Sequence, residues 1–366
     1  MIFNSSFLYC SYKSINSNKF ILKIFRKLFV SSLNLYLFLT DKVTFKSLRP
    51  KQDKNQKKRI HFYTIVWGDY LKWFLKYNLP SILQPGNVPK IFLDGYEVHL
   101  YIYTSKKDKD FLNQDNKAIK ILKNFSTYGQ IHISSFQESN FKDRISFQVK
   151  CLLNVIENCI KFKAYFVFSP PDTVFGNNSL SNALKSISDK EVCFASPVAR
   201  VSSSKIEHYE DMKELSTLKR NLSNSQLVSC FFDCLHPEMI NAFDDKDLNS
   251  TFFTGKSIRR LNEKSFIVID NIPTIFLGKF NFFDHLFFNF YNSFNHWDRK
   301  WSSILLRSNR LKISGSSDMF FCVEITKDSD KQAKLHSGML NNDLKDKGFK
   351  LEHLIPNQFI NIWKAE

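Results

Sequence analysis

From residue 60 onward the chain alternates between two kinds of apolar pattern. Short runs at 60–67 (IHFYTIVW), 97–104 (EVHLYIYT), 130–136 (QIHISSF), 164–168 (AYFVF) and 191–198 (EVCFASPV) have the length and the aromatic or β-branched content of strands. Between them, apolar residues spaced three and four apart predict helices over 70–83, 111–125, 144–160 and 179–187. Gly68 turns the first strand and Asp69 is placed to cap the first helix. Pro80 predicts a kink or an early end in that helix. Strands alternating with helices call for a largely parallel sheet with right-handed crossovers. Beyond residue 200 the pattern weakens. A charged helical stretch is expected over 203–228, short strands at 265–269, 275–277 and 319–326, and a closing helix at 357–364.

Charge divides the chain. Of the formal +17, residues 1–59 hold +11, from thirteen Lys/Arg against two Asp, which leaves +6 for 60–366. A basic arm of this kind favours anionic lipid or nucleic acid through long-range attraction. Residues 20–40 are apolar, but Lys23, Arg26 and Lys27 break them, and the uninterrupted remainder is too short to span a bilayer. Two readings of the arm stand: a helix lying in a membrane interface, or a leader without fixed structure. Residues 49–59 (RPKQDKNQKKR) read as a linker, so the folded body should begin at Ile60. Nothing in the body matches a known RNA- or DNA-reading motif, so nucleic acid is not an expected partner.

Length and composition set further bounds. A chain of 366 residues suits one large α/β domain or two smaller ones. The 38 Phe accompany abundant Lys, Asn and Ile, a bias of an AT-rich coding sequence rather than of function. Seven cysteines at irregular spacing do not make a disulfide framework and fit reduced thiols in the cytoplasm. Cys230, Cys234 and His236 cluster in sequence but lack the fourth ligand of a structural zinc. P-loop, G-x-G-x-x-G, H-E-x-x-H and G-x-S-x-G patterns are all missing from the sequence.

The most informative stretch is AYFVFSPPDTVFGNNSL at 164–180. Its apolar run suits a strand buried on both faces, and Pro170 and Pro171 then bar further ladder bonding. Asp172 is the first charge beyond the strand. Ligands of open α/β sheets bind at the carboxyl ends of strands, so Asp172 is a candidate for a metal ion or a sugar hydroxyl. It also has an ordinary account as a turn or cap residue.

WGDY (67–70), LPSIL (79–83), PGN (85–87), SPPDTVFGNNSL (169–180) and GSSDMFF (315–321) together carry a resemblance. In element order, residues 60–200 resemble the GT-A-type nucleotide-sugar glycosyltransferases, including bacterial glycosyltransferase-like proteins. The resemblance implies a Rossmann-like GT-A α/β fold. Its mostly parallel central sheet is flanked by helices, with an α+β C-terminal portion. Residues 60–200 would bind the nucleotide-sugar donor, and 201–366 would face a glycan or lipid-linked acceptor. The activity implied is sugar transfer in cell-surface glycan synthesis, in the cytoplasm or peripherally on the inner face of the membrane.

Site roles follow from the same resemblance. Asp172 would bind Mn²⁺ or Mg²⁺, with His296 as a further ligand. Trp67 would stack on the base, with Gly68 and Asp69 beside it, and Arg299 and Lys300 would meet the diphosphate. Asp318 is the first candidate for the base of an inverting transfer and Glu324 the second. The chain departs from the family where Pro170 stands in place of the first acid of Asp-x-Asp. A single carboxylate with phosphates and waters can hold such a cation. The alternative is a catalytically inactive GT-A-like binding protein.

Overall fold

The computed structural model describes residues 58–136, 144–188, 191–240, 243, 256–262, 264–270, 274–280, 284, 305, 309–329 and 359–365. The predicted strands appear as β1 (Arg59–Ile65), β2 (Glu97–Ser105), β3 (Gly129–Phe136), β4 (Tyr165–Phe168) and β6 (Cys193–Ser196). They lie in a mixed seven-stranded sheet of order β11-β6-β10-β4-β1-β2-β3, where β10 is Thr274–Gly278 and β11 is Leu311–Ile313. Of these strands β10 alone runs against the rest, antiparallel to both β4 and β6. The expectation of a largely parallel α/β sheet therefore holds, with one reversed strand supplied by the second half of the chain. Asn55–Glu366 form a single unit.

The helices lie on both faces of the sheet, as right-handed crossovers require of this strand order. Steps from β1 to β2 and from β2 to β3 move one way across the sheet, and the step from β3 to β4 moves back. Residues before β2 form α1 (Asp69–Trp73), a π-helical turn (Phe74–Asn78), α2 (Leu79–Ile82) and α3 (Val88–Leu93). The π turn immediately precedes Pro80 and is how the backbone accommodates the expected break. The helix expected over 111–125 is two helices, α4 (Lys106–Gln114) and α5 (Asn116–Ser126). Ser105 caps α4, and Asp115 starts a new helix by accepting from the Ala118 N–H. Apolar residues of α2, α3, α4, α5 and α7 (Ser179–Ser186) share one core with Ile60, Phe62, Leu100, Ile102 and Val167.

The opposite face carries α6 (Arg144–Phe162) and is chemically different. Here β1, β2 and β3 present His61, Tyr63, His99, Tyr101, Tyr103 and His132. The His99 Nδ1 lies 3.1 Å from the His132 Nε2, and the His99 Nε2 lies 3.1 Å from a Glu97 carboxylate oxygen. The same carboxylate accepts from the Arg59 Nε at 2.7 Å. His61 lies 3.5 Å from the Cys159 Sγ of α6. Burial pushes the His61 imidazole down to about 3, helped by its histidine neighbours and Arg59. Burial also lowers His99 and His132, so this layer is neutral at ordinary pH.

A second sheet has the order β5-β12-β7, where β5 is Thr173–Phe175, β7 is Ala199–Ser202 and β12 is Cys322–Thr326. The two prolines end the main ladder as expected, yet pairing resumes two residues later in this other sheet. The expected strand over 191–198 is shortened to β6, and a further strand, β7, begins directly after it in this second sheet. Its 203–228 successor comprises α8 (Ser203–Ile206), α9 (Glu210–Ser216) and α10 (Asn224–Asp233). A third sheet has the order β13-β9-β8, where β8 is Lys256–Arg260, β9 is Ser265–Asp270 and β13 is Phe359–Lys364. The closing helix expected at 357–364 is thus a strand. Phe359 to Lys364 pair antiparallel along the whole of β9, and Trp363 is fully buried against Phe231 and Phe321. A period-two pattern (FINIWK) met a ready edge, and tertiary pairing overrode local propensity.

Candidate functional site

Beyond the carboxyl end of β1 the chain turns at Gly68. Its φ is +60°, and a Cβ there would have open space around it, so backbone strain rather than crowding favours glycine. The Gly68 N–H donates to Asp108 Oδ2 at 2.8 Å, and the Ser105 hydroxyl donates to the same oxygen at 2.9 Å. Asp108 thereby ties the turn after β1 to the end of β2, a role its place in a lysine-rich helix start did not advertise. Trp67 stands partly exposed, edge-on to Phe136 at 5.8 Å. Gly68, not Asp69, is the N-cap of α1, and no side chain caps it. Asp69 instead accepts from the Lys327 ammonium at 2.7 Å, a hydrogen bond that holds its carboxyl below the ordinary range.

The Ser169–Asp172 turn beyond β4 hangs from a buried amide. Asn78, fully buried at the end of the π turn, donates to the carbonyls of Pro170 at 2.9 Å and Thr173 at 2.7 Å. It also accepts from the Ser169 hydroxyl at 3.1 Å. Two further buried amides continue the clamp. Gln84 donates to the Phe175 carbonyl at 2.8 Å and Asn87 to that of Gly176 at 3.1 Å. The segment 78–87 that carries the family resemblance is therefore the mount of the 169–180 loop. Its polar residues are satisfied by backbone rather than left for a ligand.

Asp172 enters β5, whose Thr173 pairs with Glu324 of β12, and Glu324 in turn pairs with Arg200 of β7. The Ile325 N–H donates to the Asp172 carbonyl at 2.8 Å. Three ionisable side chains thus stand on neighbouring strands, with Arg200 Nε 3.5 Å from Glu324 Oε1. Burial pushes the Asp172 carboxyl well above the ordinary carboxylate range, and the Glu324 carboxylate beside it pushes further. Arg200 pulls the other way without restoring the usual value. Asp172 and Glu324 were legible in the sequence. Arg200 was missed, although it is the single charge within 192–202 (VCFASPVARVS).

The other expected site residues fall elsewhere. Asp318 lies in the turn that precedes β12, where its carboxylate pairs with the Lys364 ammonium at 2.8 Å and is more than half exposed. The Asn224 amide holds the carbonyls of Ser317 and Asp318 at 2.7 and 3.3 Å, anchoring this turn to α10. His296, Arg299 and Lys300 lie outside the described residues. Among the described residues no group of three His, Cys, Asp or Glu is arranged to hold a metal ion. Cys230 on α10 and Cys234 just beyond its end are buried, and the His236 Nε2 lies 3.2 Å from the Lys327 carbonyl oxygen.

No protein-family model matches the chain, and no curated protein matches it.

Proposed function

We propose that the chain is a glycosyltransferase of GT-A type that moves a sugar from a nucleoside-diphosphate donor to a glycan or lipid-linked acceptor. One observation carries this reading. Asp172, Glu324 and Arg200 gather on adjoining strands just past the carboxyl end of β4, the end at which open α/β sheets take ligands.

Among the described residues the site offers a cation one carboxylate, Asp172. Its oxygen, without sulfur or imidazole beside it, is the ligand type that Mn²⁺ and Mg²⁺ prefer. When bound, that cation offsets the charge gathering on the departing diphosphate. Asp172 would hold it together with donor phosphates and water.

The chain's own residues do the rest. Trp67 offers a partly exposed ring for the base, and the Gly68 turn lets backbone come close to the ribose. Arg200 faces the same charge as the cation and orients the Glu324 carboxylate. In an inverting transfer, Glu324 takes the proton from the acceptor hydroxyl as its oxygen bonds to the anomeric carbon. The bond from that carbon to the phosphate oxygen breaks, and its electron pair leaves with the diphosphate. We give this role to Glu324, which neighbours Asp172, rather than to Asp318, which pairs with Lys364 in the turn before β12.

The second reading, a binding protein without turnover, is favoured by Pro170 in the first acid's place and by the engagement of Glu324 with Arg200. Calorimetric titration with UDP-, GDP- and dTDP-sugars in Mn²⁺, followed by donor hydrolysis assays, separates the two. Binding with hydrolysis that falls roughly a hundredfold or more in Asp172→Asn supports transfer. Binding without hydrolysis supports the second reading, and no binding to any of these donors overturns both.

A further inference from the structure

We propose that the amino-terminal end of the main sheet, opposite the candidate site, is a docking surface for an anionic lipid membrane. This inference is independent of the transferase reading.

Helices that run back to this end each carry a lysine in their last turn: Lys90 in α3, Lys123 in α5, Lys161 in α6 and Lys185 in α7. Lys58 joins them just before β1, its ammonium 5.6 Å from the centre of the Tyr96 ring. Acids stand there too: Asp94 is engaged by Lys90 at 2.5 Å and faces Lys185 at 3.9 Å, Glu97 pairs with Arg59 at 2.7 Å, and Glu191 lies 3.8 Å from Lys312. Lysines at helix ends complement the helix dipole, so by themselves they do not mark a partner.

The apolar tip of α3 does. Phe92 is 45% exposed and Leu93 76%, at the point where Gly95, with φ +85°, folds the chain back into β2. Two exposed apolar side chains next to Asp94, which Lys90 and Lys185 face, match a headgroup layer above an acyl phase. A nucleic acid offers the charge but no apolar phase for Leu93.

The segment that precedes β1 shares this chemistry. Residues 1–57 carry eleven Lys/Arg against two Asp and join the body at Lys58. That segment and the lysines of the body carry like charge, so both are drawn to one anionic surface. Membrane binding by weak signals needs two of them acting together.

The test is flotation of the full chain with vesicles of phosphatidylcholine alone or mixed with phosphatidylglycerol. The expected result is binding to the mixed vesicles only. Phe92→Ser with Leu93→Ser should weaken that binding roughly tenfold, and Lys123→Glu with Lys185→Glu by a similar factor. All four side chains are at the surface, so the circular-dichroism melt should not move. Binding that neither pair alters would leave the preceding segment as the sole anchor and overturn the proposal, as would no binding at all. Loss in the lysine pair alone, with polyuridylate competing as well as vesicles, would overturn it in favour of a nucleic-acid face.

Discussion

At the carboxyl end of the main sheet, the loops are held by neutral amides: Asn78, Gln84 and Asn87 satisfy the carbonyls of the 169–180 segment. At the amino end the holding groups are ionisable. Arg310 and Asp284 form a buried bidentate pair with both contacts at 2.8 Å, and the histidine layer sits above Arg59 and Glu97. Asp69 and Asp108 stand in first turns of helices at the carboxyl end, and lysines stand in last turns at the other. A mostly parallel sheet aligns its helix dipoles, which favours both placements before any ligand is considered. What the dipole does not require is what bears on function: Arg200 among acids at one end, and exposed Phe92 and Leu93 among lysines at the other.

The sharpest way to break this contrast is Asp284→Ala. It strands the Arg310 guanidinium in the interior and should cost about 3–5 kcal/mol. Urea unfolding measures it, and a loss below about 1 kcal/mol would mean the amino end does not rest on this pair. Asn78→Leu comes next. It leaves two carbonyls and a hydroxyl without their amide, for an expected loss of about 2–4 kcal/mol. Donor binding should weaken with it, because the turn bearing Asp172 loses its mount.

The two ends should also answer pH in opposite directions. His61 has a folded-state value of about 3, depressed below its ordinary one of about 6.5, so the unfolded chain binds more protons between these limits. Stability is complete above that window and falls by about 1.4 kcal/mol for each pH unit going down through it. His61→Leu should flatten this acid limb in thermal melts. Asp172 is raised from its ordinary 3.8 to about 8, so its contribution is complete at low pH and is lost as pH rises through that window. In metal-free buffer, Asp172→Asn should remove that loss and leave the fall due to His61 in place. The smallest effect belongs to the exposed pair of Asp69 and Lys327. Asp69→Ala should leave the melting temperature unchanged, and a marked drop would mean the pair fixes α1 to β12 structurally.

Much of the main sheet was legible because buried strands and amphipathic helices write their periods into the chain. The runs at 60–67, 97–104 and 130–136 became β1, β2 and β3 within about two residues at each end. The charged break at Asp115 and the short strand β5 were hidden. A three-residue strand has no period of its own, and a cap looks like any polar surface residue. Of the site, Asp172 was visible as an acid closing an apolar run. Its neighbours Arg200 and Glu324 lie 28 and 152 positions further along, and no local pattern links residues so far apart.

The sequence by itself determined the alternation of elements, hence the parallel sheet and the end at which an acid stands, because dihedral preference and side-chain period act over a few residues. Only the tertiary structure decided that β10 runs backwards, that 359–364 pairs as a strand, and which charges share a site with Asp172. Those outcomes depend on which edges and partners are available at a distance, and hydrogen-bond pairing across strands carries no signature in the sequence of either one alone.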